Sequence, residues 1–295
     1  NPTLALYFLE ELQKHGRAPR NLLDSNLAID RDRLAYLAQL SQEESLIMTA
    51  LQEDTPLLVS QLADRFSLKE MLKPDQDFTN VVSLLYYFGV LTLRDQTPYG
   101  QLVLQIPNLV IRQLYVELMR EQLLPTSRDR RALQQVAELF YQTGEFQPFA
   151  DFVEQHQLSL FDNRDAKTAN ELVIKSVLAT LLFDNTFYVT DSETALQRRY
   201  ADFTMLVRSD KRQLQLFDIL IEFKHLKLGE VKLDRGEKFT GEIAKSLTLA
   251  ELKVLPAVQA ALAQATTQLQ SYRPLLHKAY SYPLRLRVYA VVAVG

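Results

Sequence analysis

From residue 171 onward the apolar residues change their spacing repeatedly, and this limits the fold more than any other feature. The stretch "DAKTANELVIKSVLATLLFDN" puts Leu172, Val173, Val177, Leu178, Leu181 and Leu182 on one side of a helix. Such a stripe must be buried against a second layer. Three runs follow, "TFYVTDS", "RRYADFTMLVR" and "LQLFDILIEFKHL", rich in the β-branched and aromatic residues that suit strands. "VLPAVQAALAQATTQLQSYRPLL" returns to helical spacing, and "LRLRVYAVVAVG" reads as a last buried strand. Between them, the charged "KLGEVKLDRGEKFTGEIAKS" reads as a mobile excursion. Helix, three strands, helix, strand predicts helices layered on a mixed sheet.

The first half is patterned differently. Leu4, Leu6, Phe8, Leu9 and Leu12 predict a helix over 3–15, and Leu34, Leu37, Leu40, Leu46 and Ile47 predict one or two more over 30–50. "DFTNVVSLLYYFG" reads as a helix from Phe78 to Phe88 with Gly89 as its C-cap. "VLTLR" and "QLVLQIP", joined by the turn "TPYGQ", read as a hairpin, and a helix capped by Asn108 follows. Helix, helix, hairpin, helix is the order of a winged helix-turn-helix. "SRDRRALQQVAELFYQTG", ending at Gly144, and "FQPFADFVEQHQL" predict two connector helices. The expected domains are 1–125, helical and winged-helix-like, a connector over 126–160, and 161–295.

At 295 residues the chain has length for about two domains. With 47% hydrophobic and 23% charged residues it can build cores. No apolar run approaches the roughly 20 residues of a membrane helix, and "NPTLALYFLE" lacks the marks of a secretory signal. The opening Asn1, in place of Met, reads as a fragment or a processed chain. The absence of cysteine excludes disulfides, thiol catalysis and zinc–thiolate sites, and fits a cytoplasmic protein. Residues 1–160 hold 14 Lys and Arg against 21 Asp and Glu, a balance of −7, while 161–295 hold 19 against 15, a balance of +4. The second half is therefore the better candidate for a polyanionic partner.

The residues that carry chemistry lie on the strands. Alternation puts Phe217, Ile219, Ile221 and Phe223 on one face and Asp218, Leu220, Glu222 and Lys224 on the other. Taken alone, Glu222 and Lys224 read as a solvated pair. Asp202 changes this, because it interrupts an apolar run where Asp is disfavoured. Pairing Asp202 with Glu222 in a hairpin sets the turn centre at residue 212, inside the polar "SDKRQLQ". Two adjacent carboxylates need a cation between them, and Mg²⁺ takes one or two carboxylates with water and phosphate oxygens. A neighbouring lysine can hold a water and offset phosphoryl charge. Glu171 is a third acid, and reads equally as an ordinary helix-start carboxylate. Together these residues suit metal-assisted hydrolysis of a phosphodiester.

"YAD" with Asp202 followed by "EFK", Glu222–Phe223–Lys224, resembles the PD-(D/E)XK nuclease superfamily over about 165–295. The resemblance implies a mixed α+β and α/β fold: a helical and winged-helix N-terminal region and a C-terminal αβββαβ restriction-endonuclease-like domain. It implies Asp202 and Glu222 as ligands of Mg²⁺ or Mn²⁺, joined by the Phe223 carbonyl. Lys224 would position the attacking metal-bound water, Glu171 would be an auxiliary acid, and Gln268 would belong to the site. Gln268 and Tyr272, at i, i+4 in "QLQSY", would be the Gln and aromatic that many members carry; by spacing alone they read as helix packing. Ala201 stands where many members have Pro. The region 1–160 looks like part of bacterial proteins that join an AAA-type ATPase-like domain to a nuclease domain. This chain has no P-loop: "GEKFTGEI" has Glu242 where the phosphate-binding Lys belongs. The four histidines, His15, His156, His225 and His277, lack metal-ligand spacing. The reading is a metal-dependent DNA endonuclease, with Arg198, Arg199, Lys227 and Lys232 as candidate phosphate contacts. Self-association and an ATPase domain or partner are compatible with it. The alternative is a catalytically inactive nuclease-fold module that binds or regulates a partner.

Overall fold

In the computed structural model, the described residues are 2–16, 57–63, 78–161, 171–191, 194–196, 199–233, 238–280 and 282–295. The protein is mixed α/β and divides into two compact units, Asn1–Met119 and Arg120–Gly295. Among the described residues, no helix is long and apolar enough to cross a membrane. The helices expected over 30–50 lie outside the described residues.

The first unit contains α1 (Pro2–His15), β1 (Leu57–Val59), α2 (Phe78–Tyr87), β2 (Thr92–Gln96), β3 (Leu102–Gln105) and the start of α3 (Leu109–Leu123). Its strands form an antiparallel sheet in the order β1-β3-β2. Helix α2 stops where Gly89 takes φ 72°, a left-handed value that costs glycine nothing. The hairpin turns at Gly100, φ 83°, whose N–H donates to the Thr97 carbonyl. Asn108 caps α3 by accepting from the Ile111 N–H at 3.1 Å.

The second unit begins within α3. It continues with α4 (Ser127–Thr143), α5 (Gln147–Phe161), α6 (Glu171–Leu182), β4 (Tyr188–Asp191), β5 (Thr194–Leu196) and β6 (Arg199–Ala201). Then follow β7 (Phe203–Val207), β8 (Asp218–Leu226), α7 (Gly241–Ser246), α8 (Leu249–Val254), α9 (Pro256–Ala279) and β9 (Leu286–Val294). The main sheet has the order β4-β7-β8-β9. Its first three strands are antiparallel, and β9 runs parallel to β8. A parallel neighbour cannot be reached by a tight turn, and the helices from α7 to α9 supply the crossover.

Each face of this sheet is covered. Leu206 and Leu220 pack against Leu269, Tyr272 and Leu276 of α9, so α9 lies over the face that also carries Asp218, Glu222 and Lys224. On the opposite face, Tyr141 of α4 meets Tyr188 edge-on, and Phe140 meets Tyr289 the same way. Hydrogen bonds tie α4 down further: the Tyr141 hydroxyl donates to the Leu182 carbonyl and the Tyr289 hydroxyl to the Gly144 carbonyl. The Arg120 guanidinium donates to the carbonyls of Thr180, Leu181 and Phe183, which satisfies acceptors that the end of α6 leaves open.

Three local expectations are corrected. The run "RRYADFTMLVR" is two strands, because the chain bends at Asp202 and β6 pairs with the unanticipated β5. The last strand is half-exposed rather than buried: it is paired with β8 on one side, and among the described residues no strand covers the other. The charged segment after β8, expected as an excursion, holds buried Val231 and Phe239, an antiparallel bridge between Lys232 and Lys238, and α7.

Candidate functional site

Strand β8 carries the site by leaving the core partway along its length. Residues Asp218 to Phe223 are buried, and Lys224 to Leu226 are half-buried. Glu222 is therefore the last carboxylate of the buried stretch, 2% exposed, and Lys224 is the first side chain on that face to reach the rim. The Lys224 ammonium donates to Glu222 Oε1 at 2.9 Å. The second oxygen, Oε2, is buried and has no hydrogen-bond partner among the described residues, which is costly for a carboxylate.

The neighbouring strand delivers Asp202. The β7–β8 ladder pairs Phe203 with Ile221, Thr204 with Leu220 and Met205 with Ile219. One further step in that register would set Asp202 opposite Glu222. The ladder stops there. A strand residue presents its N–H and C=O to the same edge, so Phe223 still directs both toward the line of β7. The Asp202 carboxylate takes the place of a backbone acceptor, receiving the Phe223 N–H on Oδ2 at 2.7 Å. The bend at Asp202 is thus what an Asp in a strand requires: the backbone leaves the ladder and the side chain completes it.

A residue outside the sequence reading completes the group. Lys175, on α6, places its ammonium 2.6 Å from Asp202 Oδ1. Its side chain is 20% exposed, and that of Asp202 13%. Burial pushes the Glu222 carboxyl up from its ordinary range; the Asp202 charge adds to the shift, while Lys224 and Lys175 oppose it. Among the described side chains, two carboxylates and two ammoniums therefore meet where β8 leaves the core.

The remaining expected residues are placed as follows. Glu171 begins α6, one turn before Lys175, and its side chain lies outside the described residues, as do Arg198 and the side chain of Arg199. Gln268 sits on α9; among the described residues its buried Oε1 has no partner and its side chain makes no hydrogen bond to either carboxylate. Tyr272 is part of the core under α9. His225 contacts the Gly295 carbonyl at 3.0 Å through Nε2, at the end of the sheet. Asp218, on the same face as Glu222, has a structural role: it is fully buried and accepts from the Val207 N–H, the Arg285 N–H and the Arg212 guanidinium.

The donor set fits a hard divalent cation. Glu222 Oε2 is an open buried acceptor, Asp202 offers a carboxylate, and the Phe223 carbonyl faces the same edge. All are oxygens, as Mg²⁺ and Mn²⁺ prefer. Among the described residues, no group of three or more His, Asp or Glu could hold a metal, so water and substrate oxygens would complete the shell. Nothing in the sequence singled out Lys175, because Glu171 and Lys175 are spaced as an ordinary i, i+4 helix pair. Compared with family models, curated proteins and solved structures, the chain finds no match.

Proposed function

We propose that this chain is a metal-dependent nuclease that hydrolyses a phosphodiester, with DNA as the first substrate to test. The observation that carries the reading is the convergence of Asp202, Glu222 and Lys224 through the β7–β8 register. In this reading the second unit is a PD-(D/E)XK-type domain, and the first resembles a winged helix. Asp202, Glu222 and the Phe223 carbonyl would hold Mg²⁺ or Mn²⁺. The ion would supply Lewis acidity and a water of lowered pKa.

The chain's own residues have definable tasks. The Phe223 N–H orients Asp202 by occupying one carboxylate oxygen. Lys224, held on Glu222 at the rim, presents a fixed positive charge where phosphoryl charge would build up. The test is plasmid nicking with Mg²⁺ or Mn²⁺. Wild type should cleave, and Glu222→Ala and Lys224→Ala should not. A wild-type protein that binds plasmid without cutting it, with binding unchanged in both variants, would favour the non-catalytic module instead.

Substrate contact has its own candidate. Lys232 and Lys238 are exposed and directly opposed in the bridge that follows the site strand. Like charges placed opposite each other destabilise a β-pair, and a phosphate backbone would relieve this. Lys232→Glu with Lys238→Glu should weaken DNA binding and reduce the slope of log affinity against log salt by about 1.8, two phosphates' worth. An unchanged slope would remove these lysines from the interface.

A further inference from the structure

We infer that Lys175 is a tethered counter-ion of the site, holding Asp202 when no divalent cation is bound and releasing it when one arrives. The inference rests on the metal site proposed above. It starts from an asymmetry between the two ion pairs. On Glu222, Lys224 uses Oε1 and leaves Oε2 open. On Asp202 both oxygens are engaged, Oδ2 by the Phe223 N–H and Oδ1 by Lys175 at 2.6 Å. A cation that took Oε2 would leave the Lys224 bond to Oε1 in place. One that also takes Asp202 competes with the Lys175 ammonium for a carboxylate that is only 13% exposed.

Charge balance points the same way. Among the described side chains two carboxylates and two ammoniums cancel, so a divalent ion added to that arrangement leaves two uncompensated positive charges in a poorly solvated place. Displacing one ammonium lowers that cost. Of the two ammoniums, Lys175 is the one whose displacement leaves its carboxylate in place. The Phe223 N–H keeps Asp202 oriented without it, and a four-carbon stem lets the ammonium swing toward solvent or a substrate phosphate. The pair also accounts for how Asp202 is tolerated in a nearly buried position without metal, since an uncompensated carboxylate there would be costly.

The experiment measures Mn²⁺ affinity by electron paramagnetic resonance of free Mn²⁺, on wild type, Lys175→Met, Lys175→Gln and Lys175→Arg. Removing the competing charge should tighten binding by about tenfold in the Met and Gln variants, while Arg, which keeps the charge, stays near wild type. Melting gives a second readout. Without metal, Lys175→Met should melt below wild type, and Mn²⁺ should raise its melting temperature by more than it raises that of wild type. Equal Mn²⁺ affinity in wild type and the Met and Gln variants would overturn the inference and leave the metal site standing. No Mn²⁺ binding by any of these proteins would overturn both. Tighter binding in the variants, with no plasmid cleavage by wild type, would sustain the counter-ion and sink the nuclease reading.

Discussion

Replacing Asp218 with Ala will cost about 3–5 kcal/mol of stability, the usual penalty for removing one partner of a buried ion pair. Asp218 is fully buried at the start of β8. Its Oδ1 accepts from the Val207 N–H at 2.9 Å, and its Oδ2 from the Arg285 N–H at 2.8 Å and the Arg212 guanidinium at 2.6 Å. One carboxylate thereby joins the end of β7, the turn after it and the entry to β9. Removing it strands two backbone N–H groups and the Arg212 charge, whose guanidinium lies over the Tyr282 ring at 4.2 Å. Asp218→Asn should lose less, because the amide oxygen still accepts. Urea unfolding reads both, and a loss below about 1 kcal/mol for the Ala variant would show that water or rearrangement replaces the knot.

In the proposed nuclease, Asp202→Asn will abolish most cleavage while leaving the fold intact. A carboxamide keeps an oxygen for the Phe223 N–H but gives up the negative charge that would hold the cation. Lewis-acid stabilisation is worth several kcal/mol, so the rate should fall by about 10²–10³-fold. Asp202→Ala also leaves the Phe223 N–H without its acceptor, adding about 1–3 kcal/mol of instability. The two variants separate the roles: they should be similarly inactive but unequally stable. Cleavage by Asp202→Asn at the wild-type rate would remove Asp202 from the chemistry.

Several details of the site were legible from the sequence because they depend on local pattern. Period-two alternation on β8 put Glu222 and Lys224 on one face. The only polar stretch between two apolar runs located the turn, and a turn centre together with strand pairing sets the register. That register is the observed one. The caps at Asn108 and Gly144 were legible for the same reason, since each acts within one turn of its own helix. Asp202 was legible as an anomaly, but the form of its accommodation was not. Whether an Asp in an apolar run is buried, paired or bent out of the ladder depends on which donor faces it, and that donor, the Phe223 N–H, is 21 residues away.

Lys175 and Asp218 show the other side. Lys175 meets Asp202 across 27 positions of sequence, on a helix where its spacing signals nothing beyond a surface pair. Asp218 alternates with apolar residues as Glu222 does, and only its three donors mark it as structural. By itself, then, the sequence determined the main helices and strands of the sheet, the alternation of faces on β8 and the β7–β8 register, because these follow from short-range periodicity and turn chemistry, while the short β5–β6 pair and the break at Asp202 do not. Only the tertiary structure decided which charges meet: Lys175 on Asp202, Arg212 on Asp218, and an open oxygen on Glu222. Burial and partner choice arise from segments distant in the chain, and no local pattern encodes which of them will arrive.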